Sequence, residues 1–267
     1  MTKKKLKSLF KFRRQTFAVP YMAFLLIFIV TPLALILVNA FLEDGQLTFN
    51  NFVAFFSDGA SLKVLGESLV IGLITTVICL LIGYPVAYFL VKYNMGKILV
   101  LLFIMPMWVN FLLRTLATKA IFENFLGVGL GYGTVLFGMV YNYLPYMILP
   151  LHTAISSIDK SYMEAAEDLG ASPFKVFVST TIPLSLSGII SGITMVFVPT
   201  ISTFAISELL SYNQVLLFGD SINYKFNHGL YGVGSVMSII MLIFVFVSNF
   251  LLNKFSNGEQ QGVKNLW

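Results

Sequence analysis

Long uncharged, apolar stretches alternate with short charged segments along almost the whole chain. A charge at the bilayer centre costs roughly 2.5–3.5 kcal/mol and a spanning helix needs about 20 apolar residues, so each such stretch predicts one membrane span. The chain contains six. The predicted spans lie at 15–42, at 68–91, from 98 to the first charge at 114, at about 134–156, within 176–207 and within 226–253.

The predicted spans are helices, because transmembrane strands are shorter and alternate in polarity. We therefore predict an all-α integral membrane protein with six transmembrane helices. Several prolines lie within or near the spans, and such breaks favour a packed bundle in which neighbouring helices satisfy the freed backbone groups, although ordinary kinking is an equal explanation at each site. These prolines are Pro32, Pro85, Pro106, Pro145, Pro150 and Pro199.

The distribution of basic residues predicts the orientation of the spans. Only Lys63, Lys119 and Lys225 fall in segments that would lie outside, whereas the remaining lysines and arginines, apart from Arg114, fall in inner segments. Cytoplasmic loops of membrane proteins carry such an excess of Lys and Arg, so both termini are predicted to be cytoplasmic. The predicted organisation is a basic segment at 1–16, a transmembrane domain at 17–256 and a cytoplasmic tail at 257–267.

The composition excludes a secreted domain, a cytosolic enzyme and a disordered tail, because 57% of the residues are hydrophobic and only 11% are charged. A single cysteine, Cys79, permits neither a disulfide within the chain nor a cysteine-based metal site. The net charge of +5 is no sign of a nucleic-acid partner, since the first 14 positions hold seven of the 17 basic residues. This clustering is a membrane-topology signal, and the expected partner is membrane lipid.

The loop between the fourth and fifth spans has signals for two short helices. Ser161 and Glu164 have the spacing of a capping box, and Gly170 fits the left-handed position that ends a helix. Ser172 followed by Pro173 starts a second helix, which Pro183 is expected to end. Residues 157–187 are therefore predicted to form a helix, a glycine turn and a second helix on the cytoplasmic side.

This loop resembles the EAA signature of the permease subunits of ABC importers. The residues that carry the resemblance are Glu164, Ala165 and Ala166, then Gly170, then Ile182-Pro183. Thr180 and Ile182 depart slightly from the usual end of that signature. The resemblance implies the type I ABC importer permease fold. It also implies that the first helix docks into a cytoplasmic ATPase subunit, with Glu164, Ala165, Ala166, Gly170, Ala171 and Ser172 forming the docking loop.

Further segments are similar to one branch of that family, the permeases of spermidine/putrescine importers, and among these to the B subunit. The segments are 81–88, 105–114, 164–172 and 216–219. The resemblance implies a transport subunit that imports polyamines by alternating access and is not itself an enzyme. It implies no cofactor in this chain, since a partner ATPase binds ATP and magnesium. A second homologous permease and an extracytoplasmic substrate-binding protein complete the implied assembly.

A polycationic cargo needs carboxylates, hydroxyls and aromatic faces along its pathway, because these groups bind ammonium. Glu208 is the first candidate. Counted along a continuous helix from Gly188 it lies roughly 30 Å away, near the outer mouth. Thr200, Thr203 and Ser207 are expected to form a polar stripe on the same helix. The alternative for Glu208 is an exposed helix end outside the hydrocarbon.

The third span contributes two more candidates, Trp108 and Asn110, which follow Pro106 and could be turned inward by a helix break. Packing against other helices is the alternative for Trp108. Arg114 would repel a cation, and we expect it to reach the outer surface by snorkelling.

Three alternatives to a polyamine permease stay open. A membrane enzyme is disfavoured because the chain has only two histidines and no His-Glu-x-x-His or Gly-x-Ser-x-Gly motif. An ATP-independent channel or carrier would leave the EAA loop without a role. Another small solute of the same importer class, such as an oxyanion or ferric ion, is also compatible, and Glu208 weakly disfavours an anion.

Overall fold

The structure is a computed structural model that describes residues 18–43, 45–93 and 97–264. The predicted basic segment 1–16 and the last residues of the predicted tail, 265–267, lie outside the described residues. Within the described part, the chain forms a bundle of helices and one two-stranded antiparallel hairpin.

The first part of the chain is one apolar span followed by a small subdomain. The span consists of α1 (Ala18–Leu25), a π-helical turn (Leu26–Val30) and α2 (Thr31–Phe41). The hairpin of β1 (Leu42–Glu43) and β2 (Gln46–Leu47) and the short helix α3 (Asn50–Ser57) follow.

The middle of the chain holds three crossings. They are α4 (Gly59–Lys92), the pair of α5 (Lys97–Ile104) and α6 (Phe111–Ala120) with its π-helical extension (Ile121–Leu126), and α7 (Tyr132–Ser156). The stretch from Gly127 to Gly131 forms no helix and separates the π-helical extension from α7.

The last part contains the loop helices and two more crossings. The loop holds α8 (Lys160–Asp168), α9 (Pro173–Val176), a π-helical turn (Phe177–Thr181) and α10 (Ile182–Leu184). After it come α11 (Leu186–Ser202), α12 (Ala205–Ser211), α13 (Phe218–Asn227) and α14 (Tyr231–Lys264).

The structure has up to six spans, the number predicted, and two of them are broken. Four helices are long and apolar enough to cross a membrane unaided, and two bent helix pairs supply the others. The third span bends by 91° after Trp108, and the fifth is preceded by a bend of 67° at Ser185. Pro106 lies in the 3₁₀-helical turn Met105–Trp108 just before the first break and Pro183 two residues before the second, where the missing N–H groups weaken the helical ladder.

The centre of the bundle is formed by α4, α7 and α11, which make the most extensive contacts between described helices. Gly83 of α4 and Gly192 of α11 both face Met147 of α7 so closely that a Cβ at either glycine would crowd its side chain. Small residues at such contacts let membrane helices approach, because lipid supplies no hydrophobic drive for their association. Cys79 is fully buried in the same cluster.

Candidate functional site

A cavity of about 600 Å³ lies at the end of the bundle where α4 begins. Because α11 crosses the membrane between the loop helices and α12, this cavity is on the opposite side of the membrane from α8. Its lining comes from the start of α4, from α12 and α13, and from the loop between them: Ala60, Ser61, Val64, Glu208, Asn213, Leu216, Asp220, Ser221, Asn223, Tyr224, Lys225, Asn227 and His228.

Two carboxylates share this cavity, Glu208 on α12 and Asp220 on α13. Glu208 is exposed. The Oδ2 atom of Asp220 accepts a hydrogen bond of 2.6 Å from the Ser207 hydroxyl and one of 2.8 Å from the Leu217 N–H. Its Oδ1 atom has no hydrogen-bond partner among the described residues. Asp220 is therefore held in place through one oxygen, while the other is buried without a hydrogen-bond partner among the described residues.

Partial burial raises the pKa of Asp220 to about 6, and the neighbouring Glu208 carboxylate acts in the same direction. The hydrogen bonds from Ser207 and Leu217 oppose this shift, because they favour the ionised carboxylate. Asp220 thus changes its charge at mildly acidic pH, and a nearby cation would favour its ionised form.

The raised pKa of Asp220 predicts a pH-dependent stability. The folded chain holds this proton more tightly than the unfolded chain does, so ionising Asp220 costs folding free energy. Stability relative to the Asp220→Asn variant should fall as the pH rises from about 4 to about 7. Thermal unfolding of both purified proteins across this range measures the difference, in which the contributions of groups present in both proteins largely cancel. A difference that is constant with pH would contradict the prediction.

The expected polar stripe on one helix is wrong, because the helix stops at Ser202 and Thr203 is extended. The Ser202 hydroxyl bonds the carbonyls of Val198 and Pro199, which competes with continuation of the helix. Thr200 and Ser207 consequently lie on different helices, so the distance of Glu208 counted along one helix does not hold either.

The three hydroxyl residues of that stripe are buried. Thr200 donates to the Phe197 carbonyl, and Ser207 donates to Asp220. Thr203 borders a second cavity, of about 280 Å³. None of the three borders the larger cavity, which Glu208 alone of the predicted pathway residues lines.

The break in the third span puts Trp108 and Asn110 in different environments. Trp108 is 71% exposed on the outside of the described chain. Asn110 begins α6, because its side-chain oxygen accepts a 2.8 Å hydrogen bond from the Leu112 N–H. Neither residue borders the 600 Å³ cavity.

Arg114 does not snorkel to the surface as expected. Its side chain lies inward from α6 and the residue is 7% exposed. The bend of 91° places this face of α6 against α7, a change of direction that the order of apolar residues does not reveal.

The loop helices follow the predicted outline with one correction. The N-cap of α8 is Asp159, whose carboxylate accepts from the Ser161 N–H at 3.0 Å, so Ser161 is not the cap. Asp is as good a cap as Ser, and only the extended backbone at Asp159 decides between them.

Gly170 ends α8 as predicted. It is left-handed, with φ of +82°, and the Gly170 and Ala171 N–H groups donate to the carbonyls of Glu167 and Ala166. This is the Schellman pattern, which satisfies the last carbonyls of a helix. Ser172 accepts from the Lys175 N–H and Pro173 starts α9, also as predicted.

Two exposed apolar side chains beside this turn were missed by the sequence analysis. Leu169 is 90% exposed and Phe174 is 76% exposed, while Glu164 and Ala165 are exposed on α8. The signal was their position on either side of the Gly170 turn, in a loop that otherwise carries charge. Large apolar groups left open beside a rigid turn are typical of a protein-binding surface.

Most of the chain is similar to known proteins. Residues 12–258 match the family model of binding-protein-dependent transport system inner membrane components. The chain is 33% identical to the spermidine/putrescine transport system permease protein PotB of Haemophilus influenzae, over 91% of this chain and 96% of that protein. It is also 33% identical to PotB of Escherichia coli, over 88% of this chain and 98% of that protein.

The fold is likewise similar to solved transporters. A chain of a bacterial alginate ABC transporter, in complex with an alginate-bound periplasmic protein, matches with a TM-score of 0.74 at 13% identity, over 91% of this chain and 93% of that chain. A chain of the MetNI methionine ABC transporter in an inward-facing conformation matches with a TM-score of 0.60 at 15% identity, over 74% and 95%. These likenesses confirm the predicted importer permease fold.

Proposed function

Since the chain belongs to the family of binding-protein-dependent transport system inner membrane components, we propose that it forms half of the pathway by which an ATP-driven importer carries spermidine and putrescine. As a member of this family it is a multi-pass protein of the cytoplasmic membrane and a transport subunit, not an enzyme. Membership implies an ATPase and a substrate-binding protein as partners.

The cavity that holds Glu208 and Asp220 carries the proposal of a polyamine cargo. Carboxylates bind ammonium groups through charge-assisted hydrogen bonds, and the exposed ring of Tyr224 in the same lining offers a face for cation–π contact. Its charged lining consists of these two carboxylates and one ammonium group, that of Lys225. The PotB relatives, whose names state polyamine transport, support the same cargo.

The loop around Gly170 supports the docking of the ATPase. In this proposal α8 and the Gly170 turn enter a groove of the ATPase, with Glu164, Ala165, Ala166, Ala171 and Ser172 at the contact and Leu169 and Phe174 at its apolar edge. ATP and magnesium bind to the ATPase, whose closure moves the spans between outward-open and inward-open states.

The remaining parts of the proposal rest on the sequence analysis. A second, homologous permease forms the other half of the pathway, and both termini are cytoplasmic. The transmembrane domain extends over 17–256, with a basic segment before it and a tail after it. Trp108, Asn110, Thr200, Thr203 and Ser207 stay candidates for the pathway, with Ser207 acting through its hydrogen bond to Asp220.

Uptake kinetics of Glu208→Gln and Asp220→Asn test the cargo. Each variant removes one negative charge at nearly constant shape, so the KM for spermidine should rise, by about tenfold in the double variant. The measurement is uptake of labelled spermidine and putrescine by the complete importer in proteoliposomes. Glu67→Gln is the matched control, because Glu67 forms only an exposed pair with Lys63 at 3.7 Å.

The same assay separates the alternatives. If the double variant takes up spermidine with the kinetics of the wild type, the two carboxylates are not in the pathway. If the wild-type importer moves an oxyanion or ferric ion in place of polyamines, the cargo belongs to another class. Uptake that needs neither the ATPase nor ATP would indicate a channel or carrier.

A further inference from the structure

Arg114 is a buried cation without a counter-charge among the described residues. It is 7% exposed, and its Nε and Nη1 atoms are sealed from solvent and have no hydrogen-bond partner among the described residues. The guanidinium lies 5.9 Å from the centre of the Tyr141 ring, a contact that offsets only part of the cost of burying a charge.

The described part of the chain offers no carboxylate to pair with Arg114. Its six spanning segments contain two acidic residues, Glu67 and Glu123. Glu67 is paired with Lys63, and Glu123 lies 4.0 Å from Lys119 and accepts from the Tyr212 hydroxyl. Ionisable residues inside membrane segments pair with one another or face a cavity, so an acidic partner of Arg114 would come from outside the described residues.

A cavity of about 280 Å³ is available for that partner. It is bordered by Arg114 and Asn142, and by Tyr143, Tyr146, Ser202 and Thr203. Asn142 is buried, and its Oδ1 atom also lacks a hydrogen-bond partner among the described residues. The volume is several times the roughly 30 Å³ that a water molecule occupies, so it admits a carboxylate with some water.

The depth of this cavity excludes a lipid headgroup. Asn142 is ten residues from the start of α7 and fourteen from its end, which places it about 15 Å and about 21 Å along the helix from the two ends. A lipid phosphate lies at the membrane surface, whereas an acidic side chain on a helix reaches any depth because that helix satisfies its own backbone groups.

We propose that Arg114 forms an ion pair with an acidic side chain of the second permease subunit, which enters the cavity beside Asn142 when the importer assembles. This inference rests on the proposed function, which supplies the second permease and a cargo that brings no carboxylate of its own. The planar guanidinium donates two parallel hydrogen bonds to a carboxylate, which fixes the orientation of the two subunits.

The test compares Arg114→Gln, Arg114→Lys and the control Lys63→Gln, which also removes one positive charge but at an exposed site. In the complete importer in nanodiscs, exchange of the second permease against a labelled copy should be at least about tenfold faster for Arg114→Gln. Arg114→Lys should be intermediate, and the control unchanged. In the separately purified chain, Arg114→Gln should keep or raise the thermal midpoint, because it removes an unpaired charge.

A charge swap identifies the partner residue. Arg114→Glu should be rescued when one acidic residue in the spans of the second permease is replaced by Arg. An exchange rate that Arg114→Gln leaves unchanged would overturn the ion pair between subunits, and so would a destabilisation of the separate chain as large as that of the complete importer. So would acetate, phosphate or anionic lipid raising the thermal midpoint of the separate wild-type chain but not of Arg114→Gln. Spermidine uptake by the wild-type importer is measured independently, so failure of the proposed function is recognised separately.

Discussion

Replacing Gly170 with Val should bring ATP-driven uptake close to background while the membrane-spanning bundle stays folded. Gly170 has a φ of +82°, a conformation that a β-branched residue adopts only under strain. The strained turn would release the Gly170 and Ala171 hydrogen bonds that end α8 and would turn that helix away from its docking direction. A Cβ at Gly170 would meet nothing within 4 Å, so the substitution disturbs no packing contact of the bundle.

The expected loss of uptake is about a hundredfold, near the upper end of typical coupling between two sites. The measurement is labelled spermidine uptake beside ATP hydrolysis in the same proteoliposomes, which separates loss of coupling from loss of the ATPase. Gly170→Asn is the matched control, because Asn tolerates the left-handed conformation and should keep most of the activity. Equal uptake by Val and Asn variants would show that the conformation of this turn is not needed.

Replacing Gly219 with Ala should destabilise the end of the bundle that carries the two carboxylates. A Cβ at this position would overlap the Thr203 carbonyl oxygen and lie 2.7 Å from that of Ser202. Both are backbone atoms, so α13 itself has to move, although the Phe218 N–H holds it to the Ser68 hydroxyl at 2.7 Å. Overpacking of this kind costs about 1–3 kcal/mol.

Thermal unfolding of the purified variant measures this cost, and spermidine uptake should show a raised KM because Asp220 follows Gly219 directly. Gly66→Ala is the control. An added Cβ at Gly66 would meet nothing within 4 Å, and Ala stabilises a helix interior relative to Gly by about 0.5–1 kcal/mol. A Gly219→Ala protein as stable as Gly66→Ala would mean that α13 can move away freely.

The two candidate carboxylates show which residues of the site can be predicted from local sequence patterns. Glu208 was found because a charge after a long apolar stretch is conspicuous in sequence. Asp220 was not found from the sequence. Its role depends on the loop at 212–217 folding back, so that Ser207 and Leu217 donate hydrogen bonds to its Oδ2 atom. That loop turns through two consecutive left-handed residues, Tyr212 and Asn213, which the hydrophobic pattern does not encode.

The sequence by itself determined the apolar spans and the turn at Gly170, because each depends on neighbouring residues: the length of an apolar run, or a glycine beside a cap. The tertiary structure alone decided that Arg114 is buried, that the stripe beginning at Thr200 is split, and that Asp220 joins Glu208. These depend on the angles at which broken helices meet. Packing between residues far apart in the chain sets such angles, and no local pattern contains them.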